Sequence, residues 1–141
     1  MGKVLVIEDE QHMQRLIEVI LKKEGHSLLK ASSGEKALEL LREHTGDSKP
    51  DLILLDIMLT GIDGLQVLKA IKSNAELKDI PVVMLTTSTR DQDIARSYDG
   101  GACSFVTKPV SFEKLKEVIK HFALYWTLVS VVPPTRTADG D

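Results

Sequence analysis

The sequence lacks several features that would assign it to a specialised class of protein. Its one cysteine, Cys103, cannot close an internal disulfide. Acidic side chains outnumber basic ones by 21 to 18, so there is no basic excess for binding nucleic acid. No apolar run reaches the roughly 18 residues of a membrane span, and the N-terminus has no signal-peptide pattern. We therefore expect a cytoplasmic globular domain that binds neither nucleic acid nor membrane.

Short apolar segments alternate along the chain with segments of helical periodicity. Leu52–Leu55 is apolar at every position, as expected for a strand covered on both faces. From Met13, apolar residues recur at i, i+3, i+4 and i+7, which indicates an amphipathic helix. Five such units predict an α/β fold with a doubly wound, five-stranded parallel sheet. The predicted strands are Lys3–Ile7, Ser27–Ala31, Leu52–Leu55, Pro81–Leu85 and Cys103–Thr107.

Capping residues mark the starts of three helices. Ser32-x-x-Glu35 predicts a capping box at the second helix. Thr89-x-x-Gln92 predicts a similar cap for a short fourth helix, and the last helix is expected to start at Ser111.

Chemically active side chains follow four of the five predicted strands. Glu8 and Asp9 follow the first strand, Asp56 the third, Thr86 the fourth and Lys108 the fifth. Because parallel strands end at the same edge of a sheet, these groups should converge there. Crowded carboxylates repel one another unless a cation lies between them, and a hard divalent ion such as Mg²⁺ suits oxygen ligands.

This convergence predicts a site that accepts a phosphoryl group. Asp56 is the expected nucleophile, since carboxylates attack phosphorus in covalent catalysis. Asp9 and Asp56 would hold Mg²⁺, with Glu8 assisting through water. Thr86 would donate its hydroxyl to one phosphoryl oxygen, and Lys108 would neutralise another.

Each of these residues also has a plainer interpretation when it is taken alone. Asp9 could cap the first helix, and Glu8 could be a solvated charge. Thr86 could simply end a strand, Lys108 could be a surface lysine, and Phe105 could be an ordinary core residue. The four histidines show no metal-ligand spacing and are interpreted as surface residues. The agreement of acidic, hydroxyl and amine positions across four strands favours the site.

Four segments resemble the receiver domains of two-component response regulators. They are VLVIEDE, LILLDIMLTGIDG, PVVMLTTS and FVTKPV, and the resemblance extends from Lys3 to Phe122. It implies a flavodoxin-like (βα)5 fold with strand order 2-1-3-4-5. It also implies that a sensor histidine kinase phosphorylates Asp56 in a reaction that needs Mg²⁺, for which Mn²⁺ could substitute.

The resemblance assigns further residues. The family's third protein ligand for the metal is a backbone carbonyl, here that of Met58. Its aromatic switch position is Phe105, which acts with the switch hydroxyl of Thr86, and its cis peptide corresponds to Lys108–Pro109. Such a domain catalyses its own phosphorylation and dephosphorylation and is not a turnover enzyme. Its output would be a contact with another protein.

Two positions depart from the family pattern. Thr60 stands where proline is usual, which should loosen the loop after the phosphoacceptor. Glu8 stands where aspartate is usual, which leaves Asp9 as the closer metal ligand. The strings TTS, SY, GA and TKPV, together with Phe122–Trp126, are similar to single-domain regulators paired with bacterial phytochrome histidine kinases.

The C-terminal segment has more apolar residues than one helix stripe can bury. Leu124–Val132 reads LYWTLVSVV, although Phe122 and Trp126 already satisfy the helical period. We expect residues 1–127 to form the receiver domain and residues 128–141 a C-terminal extension and tail. A homodimer through the last helix and this extension would cover the excess. Alternatively, the end of the chain folds back onto the sheet edge.

Two other functions fit the sequence less well. A phosphatase of the haloacid dehalogenase type also uses Asp, Mg²⁺, Thr and Lys, but it needs a second carboxylate where this chain has Met58. A nucleotide-binding module would need a phosphate loop, and neither G-x-G-x-x-G nor G-x-x-x-x-G-K-[ST] occurs.

Overall fold

Five parallel strands form one sheet in the computed structural model, which describes residues 2–59, 61–86, 90, 92, 104–108 and 111–131, with side chains as far as residue 122. The strands are β1 (Lys3–Ile7), β2 (Ser27–Ala31), β3 (Leu52–Asp56), β4 (Val82–Thr86) and β5 (Ser104–Thr107). They lie in the order β2-β1-β3-β4-β5, so that β1 and β3 are neighbours at the switch point of the sheet. The predicted doubly wound fold is confirmed.

Within the described ranges, four complete helices cover the sheet. They are α1 (Gln11–Lys23), α2 (Gly34–Glu43), α3 (Gly64–Lys72) and α4 (Phe112–Val131), and a short 3₁₀ helix spans Gly46–Ser48. Arg90 and Gln92 are also helical. The rest of the helix predicted before the fifth strand lies outside the described residues, as does Cys103.

The sheet separates two apolar clusters. On one face, α1 and α4 contribute Ile17 and Leu115 to a cluster with alternate strand residues. On the other face, α2 and α3 contribute Leu41 and Leu68 to a cluster with the intervening strand residues. We call these the α1/α4 face and the α2/α3 face. Because β3 is buried at every position, its sequence is apolar throughout until Asp56.

One predicted helix start is confirmed and a second is shifted by one residue, while the third, at Thr89, lies outside the described residues. The side chain of Ser33 accepts a hydrogen bond from the backbone N–H of Lys36 at the start of α2. The prediction that Ser32 is the cap was wrong: Ser32 has the capping-box spacing to Glu35, but Ser33 has the extended backbone of an N-cap and accepts the hydrogen bond. Ser111 Oγ accepts from the N–H of Lys114 at 3.0 Å, as expected for the start of the last helix.

One histidine is buried, which corrects the interpretation of all four as surface residues. His26 has 6% of its surface exposed, and its Nδ1 accepts a hydrogen bond from the Gly2 N–H at 3.4 Å. Burial lowers the pKa of the His26 imidazole. The residue lies between Gly25, which has φ of 82°, and β2. No apolar periodicity in that turn would have indicated its burial.

The last helix continues past the predicted end of the receiver domain. It runs from Phe112 to Val131, and its first half packs through Leu115 and Ile119 on the α1/α4 face. The division between residues 1–127 and 128–141 stays a prediction, and residues 132–141 lie outside the described part. Among the described residues, no helix combines the length and apolar character needed to cross a membrane.

Candidate functional site

Strand alternation brings three of the predicted groups onto the α1/α4 face. Side chains two residues apart on a strand share a face of the sheet. Each charged group lies two residues after an apolar residue of this face. Glu8 comes after Val6, Asp56 after Leu54 and Lys108 after Val106. The apolar rows therefore end in charged groups at the carboxyl edge of the sheet.

Asp56 is held at this edge by two donors. Its side chain is only 2% exposed, and its Oδ1 accepts a hydrogen bond from Lys108 Nζ at 2.7 Å. The same oxygen accepts from the backbone N–H of Met58 at 3.0 Å. A buried carboxylate is stable only when it is paired or hydrogen-bonded, and these contacts supply both conditions.

Glu8 is buried beside Asp56 with part of its carboxylate unsatisfied. Its Oε2 accepts from the Glu10 N–H at 3.0 Å, whereas Oε1 has no hydrogen-bond partner among the described residues. Burial is the main cause that raises the pKa of Glu8 to about 8. The second cause is the Asp56 carboxylate, to which only protonated Glu8 can donate. Glu8 is therefore not a solvated charge.

Three acids together form a group that can hold a metal ion. Glu8, Asp9 and Asp56 each place a carboxylate oxygen within 4.8 Å of the other two. Among the described residues, Lys108 forms an ion pair with Asp56 and so supplies one positive charge beside the three acids. The unsatisfied oxygen of Glu8 and a set of hard oxygen donors fit a small divalent cation.

The cap of α1 is Glu10 and not Asp9. Its carboxylate accepts from the backbone N–H of Met13 at 2.7 Å and of His12 at 3.2 Å. The hydrogen bond from Met13 is the main cause that lowers the pKa of Glu10. Because Glu10 satisfies the helix start, Asp9 is not needed as a cap.

Thr86 lies at the same edge but continues the opposite face. It follows Met84 of the α2/α3 cluster by two residues, and its side chain is fully buried. Phe105, the register partner of Met84, packs against the same cluster. Thr86 Oγ1 accepts a hydrogen bond from Gln92 Nε2 at 3.2 Å. The hydroxyl and the aromatic ring therefore share a face that the carboxylates of Glu8 and Asp56 do not.

The start of α3 approaches the end of β3 closely. A β-carbon at Gly64 would lie 2.3 Å from the backbone oxygen of Asp56, so this position requires glycine. In the loop between them, the N–H of Ile62 donates to the Glu35 carboxylate at 3.3 Å. The Met58 side chain is 63% exposed, and the role of its carbonyl as a metal ligand stays a prediction.

Two functional contacts were missed by the sequence analysis. The position of Glu10, three residues before the apolar period begins at Met13, could have identified it as the cap of α1. No sequence signal shows that the Gln92 side chain donates a hydrogen bond to Thr86. The family positions Thr60 and Pro109, and with the latter the predicted cis peptide, lie outside the described residues.

The comparison with known proteins agrees with this geometry. Residues 4–120 match the response regulator receiver domain family. The chain belongs to this family. Over 119 residues the receiver domain is 35% identical to the polar-differentiation response regulator DivK of Brucella ovis, covering 84% of this chain and 94% of DivK.

Solved structures of response regulators resemble this receiver domain along most of their length. The phosphorylated cyanobacterial phytochrome response regulator RcpA is 35% identical, with a TM-score of 0.73 over 94% of this chain and 96% of RcpA. The Mn²⁺-bound form of response regulator Rcp1 is 32% identical, with a TM-score of 0.68 over 89% of this chain and 94% of Rcp1. Receiver domains bind Mg²⁺ and are phosphorylated by histidine kinases in phosphorelay signalling.

Proposed function

We propose that the chain is a single-domain response regulator in which Asp56 accepts a phosphoryl group from a sensor histidine kinase, with Mg²⁺ as cofactor. The observation that carries the proposal is the buried Asp56 carboxylate, paired with Lys108 at 2.7 Å and close to two further acids. A structural ion pair would not need those acids. Matches spanning 94% of DivK and 96% of RcpA support a single-domain architecture.

The carboxylate group suits Mg²⁺. Asp9 and Asp56 would bind the ion directly with the Met58 carbonyl, and Glu8 would contact it through water. When bound, the ion would neutralise negative charge and bind a phosphoryl oxygen. Mn²⁺ has similar ligand preferences and should substitute, which is consistent with its presence in the Rcp1 structure.

The hydrogen bonds of Asp56 are compatible with its proposed attack on phosphorus. Lys108 and the Met58 N–H both contact Oδ1, so attack by Oδ2 leaves these hydrogen bonds intact. The new O–P bond forms while the N–P bond of the donor phosphohistidine breaks, and the imidazole leaves with the electron pair and takes up a proton. Lys108 and the Thr86 hydroxyl would then stabilise the phosphoryl oxygens.

Phosphorylation would change the opposite face of the sheet through Thr86. Its hydroxyl would turn toward the acyl phosphate, and Phe105 would move into the space that it leaves. The surface formed by β5, α4 and the preceding helical segment would then repack, biased by a coupling of about 1–3 kcal/mol. Self-catalysed hydrolysis of the acyl phosphate would reset the domain, which is therefore not a turnover enzyme.

The partners follow from the same proposal. Similarity to RcpA favours a phytochrome-type kinase as the donor. A homodimer through α4 and the segment 128–141 would cover the apolar residues of Leu124–Val132. A cytoplasmic location suits a kinase substrate of this kind. Light scattering with and without a phosphodonor tests dimerisation, and a monomer under both conditions would contradict it.

Intact-mass spectrometry after incubation with acetyl phosphate and Mg²⁺ tests the phosphoacceptor. Wild type should gain one phosphoryl group, Asp56→Asn should gain none, and metal chelation should prevent the gain. Asp51→Asn is a matched control, because Asp51 is exposed just before β3 and accepts from the Lys3 N–H at 2.9 Å. Equal labelling of Asp56→Asn and wild type would contradict the proposal.

A further inference from the structure

A side chain without a role in the proposed reaction holds the Thr86 hydroxyl. Gln92, six residues further along the chain, is helical and half-buried. Its Nε2 donates to Oγ1 of the fully buried Thr86 at 3.2 Å. This hydrogen bond joins the end of β4 to the helical segment that follows it.

The backbone around Thr86 leaves side-chain rotation as its means of reaching Asp56. The Thr86 carbonyl accepts from the Lys108 N–H at 2.6 Å, and the preceding carbonyl, that of Leu85, accepts from the Ile57 N–H at 3.1 Å. These bonds fix the strand end on both sides. Because Thr86 continues the α2/α3 face and Asp56 the α1/α4 face, the hydroxyl must rotate away from Gln92 to meet a phosphoryl group.

We propose that Gln92 is a positioning residue that holds Thr86 in its unphosphorylated arrangement and sets how readily the hydroxyl turns toward Asp56. This inference rests on the proposed function and deepens it. The bond to Gln92 is present before phosphorylation and is lost in the switched state. Its strength therefore enters the equilibrium between the two states directly.

The test is the affinity for beryllium trifluoride in the presence of Mg²⁺, measured by calorimetry, since this anion mimics a phosphoryl group on a carboxylate. Gln92→Met keeps the length of the side chain but removes the hydrogen bond, so it should bind the mimic about threefold to tenfold more tightly. Gln92→Glu has the same shape, but its carboxylate accepts a stronger hydrogen bond from the Thr86 hydroxyl, so binding should weaken.

A double-mutant cycle separates this role from a general effect on folding. In a Thr86→Ala background, Gln92→Met should leave the affinity unchanged, because the group it holds is absent. Thermal unfolding verifies that each variant is folded. An unchanged or weaker affinity in Gln92→Met, or an equal gain in the Thr86→Ala background, would overturn the inference alone. If wild type does not bind the mimic, the phosphoacceptor assignment fails, and this inference fails with it.

Discussion

The two faces of the sheet carry different chemistry where the strands end. On the α1/α4 face, apolar rows end in Glu8, Asp56 and Lys108, which are charged or titratable and in contact or close together. On the α2/α3 face, Asp9 follows Ile7, Thr86 follows Met84 and is neutral and hydrogen-bonded to Gln92, and the aromatic ring of Phe105 packs beside Met84. Among the described residues, Glu8, Asp56 and Lys108 therefore continue the apolar rows of one face, whereas the neutral Thr86 and Phe105 belong to the other.

This difference separates the proposed chemistry from its readout. Charges in a buried site attract a cation and an anionic phosphoryl group, but they are expensive to rearrange. A hydroxyl and an aromatic ring change position at much lower cost, because a net neutral hydrogen bond contributes only about 1 kcal/mol. Thr86 and Phe105 can therefore respond to phosphorylation at a lower free-energy cost than the charged residues can.

The largest effect is expected from removal of Lys108, the cation that is paired with Asp56. Lys108→Met should slow phosphorylation by acetyl phosphate about a hundredfold, since it removes a donor from developing negative charge. The measurement is the rate of phosphoryl gain by mass spectrometry.

Lys116→Met is the matched control for this change. Lys116 lies 4.0 Å from Glu24 in a half-buried pair, and Glu24 caps the end of α1 opposite to Glu10. It should phosphorylate at the wild-type rate. A Lys108→Met protein as fast as wild type would remove the distinction between the two faces.

The raised pKa of Glu8 predicts that the stability of the protein depends on pH. Its pKa is about 8 in the folded protein and has the ordinary value of 4.5 when unfolded. The resulting stabilisation is complete below pH 4.5 and is lost as the pH rises toward 8. Without metal, this group should lower the free energy of unfolding over that interval, by no more than about 1.4 kcal/mol per pH unit.

Denaturant titrations in chelator at several pH values measure this dependence. Glu8→Gln should remove the decline, because the amide does not titrate. Added Mg²⁺ should reduce it in wild type, since the ion replaces the proton. A decline of equal slope in Glu8→Gln would show that another group causes it.

The smallest expected effect comes from the amino end of the sheet. Burial lowers the pKa of His26 from its ordinary value of 6.5. As the pH falls through 6.5, this histidine therefore binds a proton in the unfolded chain before it does so in the folded protein. Stability present above that pH should decline below it, opposite in sign to the effect of Glu8. His26→Gln retains an acceptor for the Gly2 N–H and should flatten the decline with Mg²⁺ present. An unchanged slope between wild type and variant would rule out His26 as its source.

The sequence predicted the parts of the fold that depend on composition and periodicity. The apolar runs predicted β1 and β2 with their observed ends, and the change from apolar to charged residues located the acids and Lys108. It chose Ser32 wrongly over Ser33, because the cap depends on backbone dihedrals that the motif does not contain. Nor could it show that His26 is buried, since that burial depends on contacts distant in sequence.

The most direct test of the site is a calorimetric titration with Mg²⁺, because Asp9, which follows β1, and Asp56, which ends β3, are proposed to hold one divalent ion together. Wild type should bind one equivalent, and Asp9→Asn and Asp56→Asn should each weaken binding at least about tenfold. Asp47→Asn, in the 3₁₀ helix, should bind as wild type. Absence of binding by wild type, or wild-type affinity in Asp9→Asn or Asp56→Asn, would show that these carboxylates do not share an ion.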